Sequence, residues 1–249
     1  LYLEIADRNQ GEISTRALES LLSADHPEKV LNKVFLDYHF KGRKNSTIEG
    51  RNIIILRVML KYLMKIIDTD LRFTPFMLIS VESTHTRDME IQVNAKRFRV
   101  RLGGKIDRID RVGDSVRVID YKTGDARQGF PDMEGLFDIK QRNRNGAAFQ
   151  TLFYAWLVSI DFSRELITPG LYVMRTLYEN DFDPGITMGS RNQRTRITSF
   201  RKVEVDFVAH LKEMLQSMFD PARPFEQTEI DIRCRSCDFA GICNRNSID

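Results

Sequence analysis

The stretch GGKIDRIDRVGDSVRVIDYKTGD (Gly103–Asp125) alternates apolar and polar residues on either side of Gly113-Asp114. Alternation around a glycine-containing pair is the pattern of a β-hairpin with a two-residue turn. With Gly113 and Asp114 as the loop, Val112 faces Ser115, Asp110 faces Arg117 and Asp107 faces Asp120. Residues directly opposite share a face, their Cβ atoms about 4.5–5.5 Å apart, and residues two apart on one strand share a face as well. One face therefore collects Asp107, Asp120 and Lys122 beside Ile109, Val116 and Val118. Asp110 and Arg117 point the other way.

The two faces call for different explanations. Asp110 opposite Arg117 is satisfied as a cross-strand ion pair. Asp107 opposite Asp120 is not, because facing like charges in a half-buried sheet destabilise it and resist joint ionisation. A hard divalent cation relieves the conflict, and Mg²⁺ or Mn²⁺ favours carboxylates with water in the remaining positions. Lys122 beside them is placed to orient a water or to stabilise charge on a phosphoryl oxygen. Spacing alone also fits a chance placement of this trio on the surface.

Outward from the hairpin, the 249 residues carry a net charge of +3, with 42% hydrophobic and 29% charged side chains. That is the composition of a soluble globular chain, so a nucleic-acid signal has to come from local charge. The opening on Leu1 reads as a piece of a longer polypeptide. The most apolar run, residues 51–67, is interrupted by Arg57, Lys61 and Lys65. A core helix with a cationic stripe explains it better than a membrane span. Helical periodicity is predicted for residues 15–22, 27–40 and 51–67, then short strands at 76–84, 90–93 and 97–104 before the hairpin. A polar loop over 126–146, a helix over 147–160, a strand over 170–178, a loop over 179–198 and a helix over 203–219 complete an α/β arrangement. The expected division is a helical region, 1–74, leading into or packed on a core, 75–249, as one compact unit.

The combination GGKIDRID, twelve residues between Asp107 and Asp120, VIDYKTG and then QTLFY on a helix resembles the PD-(D/E)XK nuclease superfamily. Its RecB-like branch, with AddB-type exonucleases and CRISPR-associated relatives, is the nearest likeness, over roughly Pro75–Cys243. The resemblance implies a restriction-endonuclease-like α/β core, a mixed central sheet flanked by helices, and a Mg²⁺- or Mn²⁺-dependent deoxyribonuclease that hydrolyses phosphodiester bonds in DNA recombination or repair. Asp107 and Asp120 match the metal-binding acids, Lys122 the signature lysine, and Tyr121 would lend the metal a backbone carbonyl. Gln150 and Tyr154 match the Q-x-x-x-Y motif, contacting DNA or bracing the lysine; a polar pair capping a core helix is the plainer alternative. Glu82 matches a recurring acidic position, structural or a metal contact. The implied partners are DNA, an upstream portion of the same polypeptide and a helicase subunit in a bacterial cytoplasm, with no membrane. A scaffold domain impaired in catalysis and a CRISPR-associated nuclease remain the alternatives.

Two parts of the family pattern are incomplete. A further ligand, often His, is expected upstream, but His26, His39 and His85 lack its motif context, so weaker metal binding and loss of activity are expected of this piece alone. Cys234, Cys237 and Cys243, spaced C-x2-C-x5-C, match a trio that in relatives joins one distant Cys around a [4Fe–4S] cluster. With three thiols, a cluster is not expected in this chain; zinc with an outside ligand and plain unligated thiols stay open. Basic loops carry Arg142 and Arg144 in one run and Arg191, Arg194 and Arg196 in another. They suit phosphate contact without base readout, and Phe130 and Phe182 in the same loops suit base stacking.

Overall fold

The structure, a computed structural model, describes residues 1–39, 47–190, 192–235 and 237–245. Four helices lead in: α1 (Tyr2–Arg8), α2 (Thr15–Leu22), α3 (His26–His39) and α4 (Arg51–Asp70). Ser14 starts α2 by accepting the Ala17 N–H on its hydroxyl, which satisfies one donor the helix cannot use internally. Between α1 and α2 lies the short strand β1 (Glu12–Ile13), so the leading region is not helical throughout. It also supplies the edge of the main sheet, pairing Glu12 with Met77 and Ile13 with Phe76.

That sheet contains β1, β2 (Phe76–Val93), β3 (Lys96–Val112), β4 (Ser115–Lys122) and β6 (Leu166–Val173), in the order β1-β2-β3-β4-β6. All pairs are antiparallel except β4 with β6. A parallel pair needs a crossover, and here it carries β5 (Gly129–Phe130), α5 (Met133–Phe137) and α6 (Gly146–Val158). After β6 come β7 (Thr187–Met188), β8 (Thr195–Arg196) and α7 (Glu204–Phe219); β5, β7 and β8 form a second, small sheet. The whole is a curled mixed sheet flanked by helices, as in the restriction-endonuclease-like fold. Among the described residues no helix is long and apolar enough to cross a membrane.

Strand alternation sorts the hairpin's side chains between two environments. Val116 and Val118 of β4, with Ile106 and Ile109 of β3, join a core built on Leu152, Ala155 and Val158 of α6 and Phe207 and Leu211 of α7. Another cluster gathers Ile13, Leu18, Ile67 and Phe76 beneath the leading helices.

Three expectations need correction. The short strands at 76–84 and 90–93 are one strand of 18 residues, and 97–104 runs on into the hairpin, so β2 and β3 form a single long ladder. Polar residues on the inward side disguised it. Arg87 is satisfied there by donating to the Trp156 carbonyl at 2.7 Å and to Ser159 Oγ at 2.8 Å. Helix α4 is not a core helix along its length: Leu56, Ile67, Thr69 and Asp70 are buried, while Ile53, Ile54, Ile55, Val58 and Met59 are exposed. The segment 126–146 is not a plain polar loop either. It contains β5 and α5, whose Phe130, Met133, Leu136 and Phe137 are buried in the main core. Phe130 and Phe182 are thus core residues, unavailable for stacking on bases.

Candidate metal and phosphodiester site

The hairpin turns at Gly113-Asp114, where Gly113 takes φ +55°, a left-handed conformation that glycine adopts without a Cβ penalty. The ladder then runs Val112↔Ser115, Asp110↔Arg117 and Arg108↔Ile119, and pairing stops at that last rung. Beyond it, side chains replace the backbone ladder. Asp107 Oδ2 accepts the Tyr121 backbone N–H at 2.8 Å. Asp107 is thereby fixed next to the strand that carries Asp120 and Lys122.

On the α6 side of β4, Lys122 Nζ lies 2.7 Å from Asp120 Oδ2 and 3.0 Å from Oδ1. Only the approach to Oδ1 has hydrogen-bonding geometry, so the buried Oδ2 receives charge but no directed hydrogen bond. Lys122 also donates to Gln150 Oε1 at 2.8 Å, and Gln150 Nε2 donates to the Tyr154 hydroxyl at 2.6 Å. Gln150 and Tyr154 are four apart, one helical turn, so α6 presents both toward the sheet. The Tyr154 ring can lie there because the strand beneath it carries Gly104. A Cβ on Gly104 would come within 2.6 Å of Tyr154 Cε1.

Burial pushes the Asp120 carboxyl above the usual carboxylate range; hydrogen bonding and charge from Lys122 oppose that shift, and the Asp107 carboxylate adds to it. A cation beside the carboxylates would oppose that upward shift by favouring the ionised form. The donors are hard oxygens, the type that suits Mg²⁺ or Mn²⁺, and the underused Asp120 Oδ2 beside Asp107 fits one. Among the described residues no group of three His, Cys, Asp or Glu side chains is arranged to hold a metal. What the chain brings together here is two carboxylates, without a third such ligand.

Glu82 does not join them. It sits at φ +51°, and its side chain is ion-paired with Lys105 and largely exposed. The left-handed backbone, unusual for a residue with a long side chain, turns it out of the pair. His26 meets Glu4 at 2.8 Å, and His85 Nε2 meets Ser83 Oγ at 3.0 Å; neither approaches the carboxylates as a third ligand. Among the described residues the cysteines form no group that could hold a metal either. Cys234 is buried, Cys237 exposed and Cys243 half-buried, and Cys234 Sγ lies 3.8 Å from an Arg245 nitrogen.

The basic side chains are spread out. Arg194 and Arg196 line a cavity of about 390 Å³ with Gln128, Thr176 and Asp183, and Arg196 is ion-paired with Asp183 at 2.8 Å. Arg142 is exposed. Arg144 is half-buried with its guanidinium 5.8 Å from the Phe149 ring centroid; burial, then the charge of Arg233, lowers its pKa. Arg191 lies outside the described residues.

Sequence reasoning missed what stands behind this site. Asp110 and Arg117 pair as expected, Nε to Oδ1 at 2.6 Å and Nη2 to Oδ2 at 2.9 Å. They belong to a larger buried network. Arg108 Nε donates to Asp110 Oδ2 at 2.7 Å, while its Nη1 and Nη2 donate to the two oxygens of Asp70 at 2.6 and 3.0 Å. Tyr2 and Tyr172 donate their hydroxyls to the same Asp70 at 2.6 and 2.7 Å. Burial alone would raise the Asp70 pKa, but the charge and hydrogen bonds of Arg108, the charge of Arg117 and the Tyr2 hydroxyl outweigh it and hold the carboxyl below its ordinary range. The available signal was Asp70 itself, a buried acid at the end of the long helix α4.

A family model described as the PD-(D/E)XK nuclease superfamily matches residues 6–244. Among solved structures, one described as "Crystal structure of SSO0001" is 17% identical and covers 91% of this chain and 91% of that chain, with a TM-score of 0.33, too low to bear on the reading of this site. No curated protein matches the chain.

Proposed function

The chain belongs to the PD-(D/E)XK nuclease superfamily, and from that premise we propose that it is a metal-dependent DNA nuclease of the RecB-like, AddB type, hydrolysing phosphodiester bonds in DNA recombination or repair. The observation that carries this reading is the hydrogen-bonded chain Asp120–Lys122–Gln150–Tyr154 beside Asp107. A self-contained structural ion pair has no need of the glutamine and tyrosine that hold the lysine.

Nucleases of this superfamily typically use Mg²⁺ or Mn²⁺. In our reading Asp107 and Asp120 hold the ion, with the Tyr121 carbonyl as a further oxygen. Bound there, the ion supplies positive charge to a phosphoryl oxygen and lowers the pKa of a nearby water. Lys122 is the proton-bearing cation that orients the attacking water or meets the charge growing on the phosphoryl group. Gln150 fixes the Lys122 amine through its carbonyl oxygen, and Tyr154 fixes the Gln150 amide. Arg142, Arg144, Arg194 and Arg196 are assigned to the phosphate backbone, with Arg191 in the same basic run. A helicase subunit, an upstream portion of the same polypeptide and a bacterial cytoplasmic setting follow from the AddB likeness. A [4Fe–4S] cluster on Cys234, Cys237 and Cys243 follows from it only with a fourth thiolate from elsewhere.

The test is cleavage of labelled single- and double-stranded DNA with Mg²⁺ or Mn²⁺, with EDTA, and with Asp120→Ala. Cleavage should require the ion and fall more than about 100-fold in the variant, since even partners outside the ligand set cost 10–100-fold. Equal activity of wild type and Asp120→Ala would remove the catalytic assignment.

A further inference from the structure

The β3–β4 ladder ends one rung short of the carboxylates, at Arg108↔Ile119. At that rung and the position past it, two consecutive residues of β3 reach one residue of β4 with their side chains. Asp107 Oδ2 accepts the Tyr121 N–H at 2.8 Å, and Arg108 Nη1 donates to the Tyr121 hydroxyl at 2.8 Å. The first bond grips the peptide of Tyr121, and the second grips the far end of its side chain. Tyr121 lies between Asp120 and Lys122, and alternation sends its ring to the face opposite theirs. Holding Tyr121 therefore sets the direction of both neighbours.

Arg108 is itself held on several sides. It is 1% exposed, and its bonds to Asp70 and Asp110 come from α4 and from its own strand. Tyr121 also packs edge-on against Tyr172 of β6, ring centroids 5.3 Å apart. The buried network thus reaches through the sheet to the position where ordinary strand pairing has stopped.

We propose that Arg108 is a positioning residue for the carboxylate pair, acting through the Tyr121 hydroxyl to keep the Tyr121 peptide against Asp107 and so to set the spacing of Asp107 and Asp120 for a divalent cation. The inference rests on the metal-site reading above for its consequence, though not for its geometry.

Tyr121→Phe tests it, because it deletes the one hydroxyl and leaves Arg108 bonded to both of its carboxylates. Two measurements are made on the metal-free protein and its Mn²⁺ titration. In the first, amide hydrogen exchange at residue 121 should speed up about tenfold or more while residues 115–119 of β4 keep their protection; unchanged exchange at 121 overturns the positioning role. In the second, Mn²⁺ affinity followed by electron paramagnetic resonance should weaken by about 10-fold or more, the usual loss when a partner behind a ligand is removed. Faster exchange with wild-type Mn²⁺ affinity overturns the link to the carboxylates. If the wild type binds no Mn²⁺ but exchange at 121 still rises in the variant, the positioning geometry is upheld and the metal-site reading is what fails. A residue with only a bulk structural role would lower the melting temperature and leave both readouts as they are.

Discussion

The two sides of β4 hold charge in opposite ways. Behind the strand, Asp70, Asp110, Arg108 and Arg117 are each at most 6% exposed, and their charged groups pair with one another. Arg117 leaves Nη1 without a hydrogen bond, but its guanidinium lies 4.3 Å from the Phe73 ring centroid. In front, Lys122 meets Asp120 alone of the two carboxylates, Asp107 accepts the Tyr121 N–H, and a buried oxygen of Asp120 has no directed partner. Buried charge is costly unless it is paired and hydrogen-bonded. The rear set meets that condition from its own side chains, so it serves the fold. The front set does not meet it fully, which is why we propose that it takes a cation from outside.

The largest effect should come from breaking the rear set. Asp110→Ala strips a carboxylate from both Arg108 and Arg117, and removing one partner of a buried pair costs about 3–5 kcal/mol. Urea unfolding should show the midpoint fall at unchanged slope. Asp120→Ala on the front side should cost far less, because it removes a carboxylate that burial already disfavours. Equal losses for the two variants would erase the distinction between the faces.

Much of this contrast was legible in the sequence, for a physical reason. The alternation and the Gly113-Asp114 turn fix register, and a one-residue slip would send every side chain to the wrong face. So Asp110 against Arg117 could be read from 23 residues, whereas the expected rung of Asp107 against Asp120 is missing because pairing stops at Arg108↔Ile119. What could not be read was anything the register does not encode. Asp70 lies 38 positions from Arg108, and its meeting with that guanidinium depends on how α4 docks on the sheet. Tyr2 and Tyr172 reach the same carboxylate from 68 positions before it and 102 positions after it. The same limit hid the burial of Phe130 and Phe182: local polarity marked their segments as loops, and tertiary packing overruled it. For Glu82 the sequence left a structural role and a metal contact open, because a matching position says nothing of a left-handed backbone.

A middle-sized effect sharpens the contrast from the front. At a Mn²⁺ concentration ten times its dissociation constant, binding to the folded state alone adds about 1.4 kcal/mol. For a chain of this size that raises the melting temperature by about 3–6 °C. Asp120→Ala should abolish the shift. Tyr172→Phe, which removes a rear hydrogen bond to Asp70 without touching the front, should keep it. A shift that survives in Asp120→Ala would place the ion elsewhere.

The smallest effect is a difference of sign with pH. Asp70 is held below its ordinary range, so the folded state binds fewer protons there than the unfolded chain; its stabilisation is present above the ordinary carboxylate pKa and is lost as pH falls through the lower folded value. Asp120 is pushed the other way, so the folded state keeps a proton that the unfolded chain has released. Its contribution is fully present below the ordinary carboxylate pKa and is lost as pH rises through the raised folded value. The two faces of one strand thus pull stability in opposite directions across the acid range. Asp120→Asn removes the titration on the front and leaves the rear as it was. In EDTA, wild-type stability measured by urea unfolding should fall relative to Asp120→Asn as pH climbs from the ordinary carboxylate range, then run parallel to it once Asp120 is fully ionised. A difference of the opposite sign would mean that Lys122 satisfies Asp120 completely, and the front face would then be as closed as the rear.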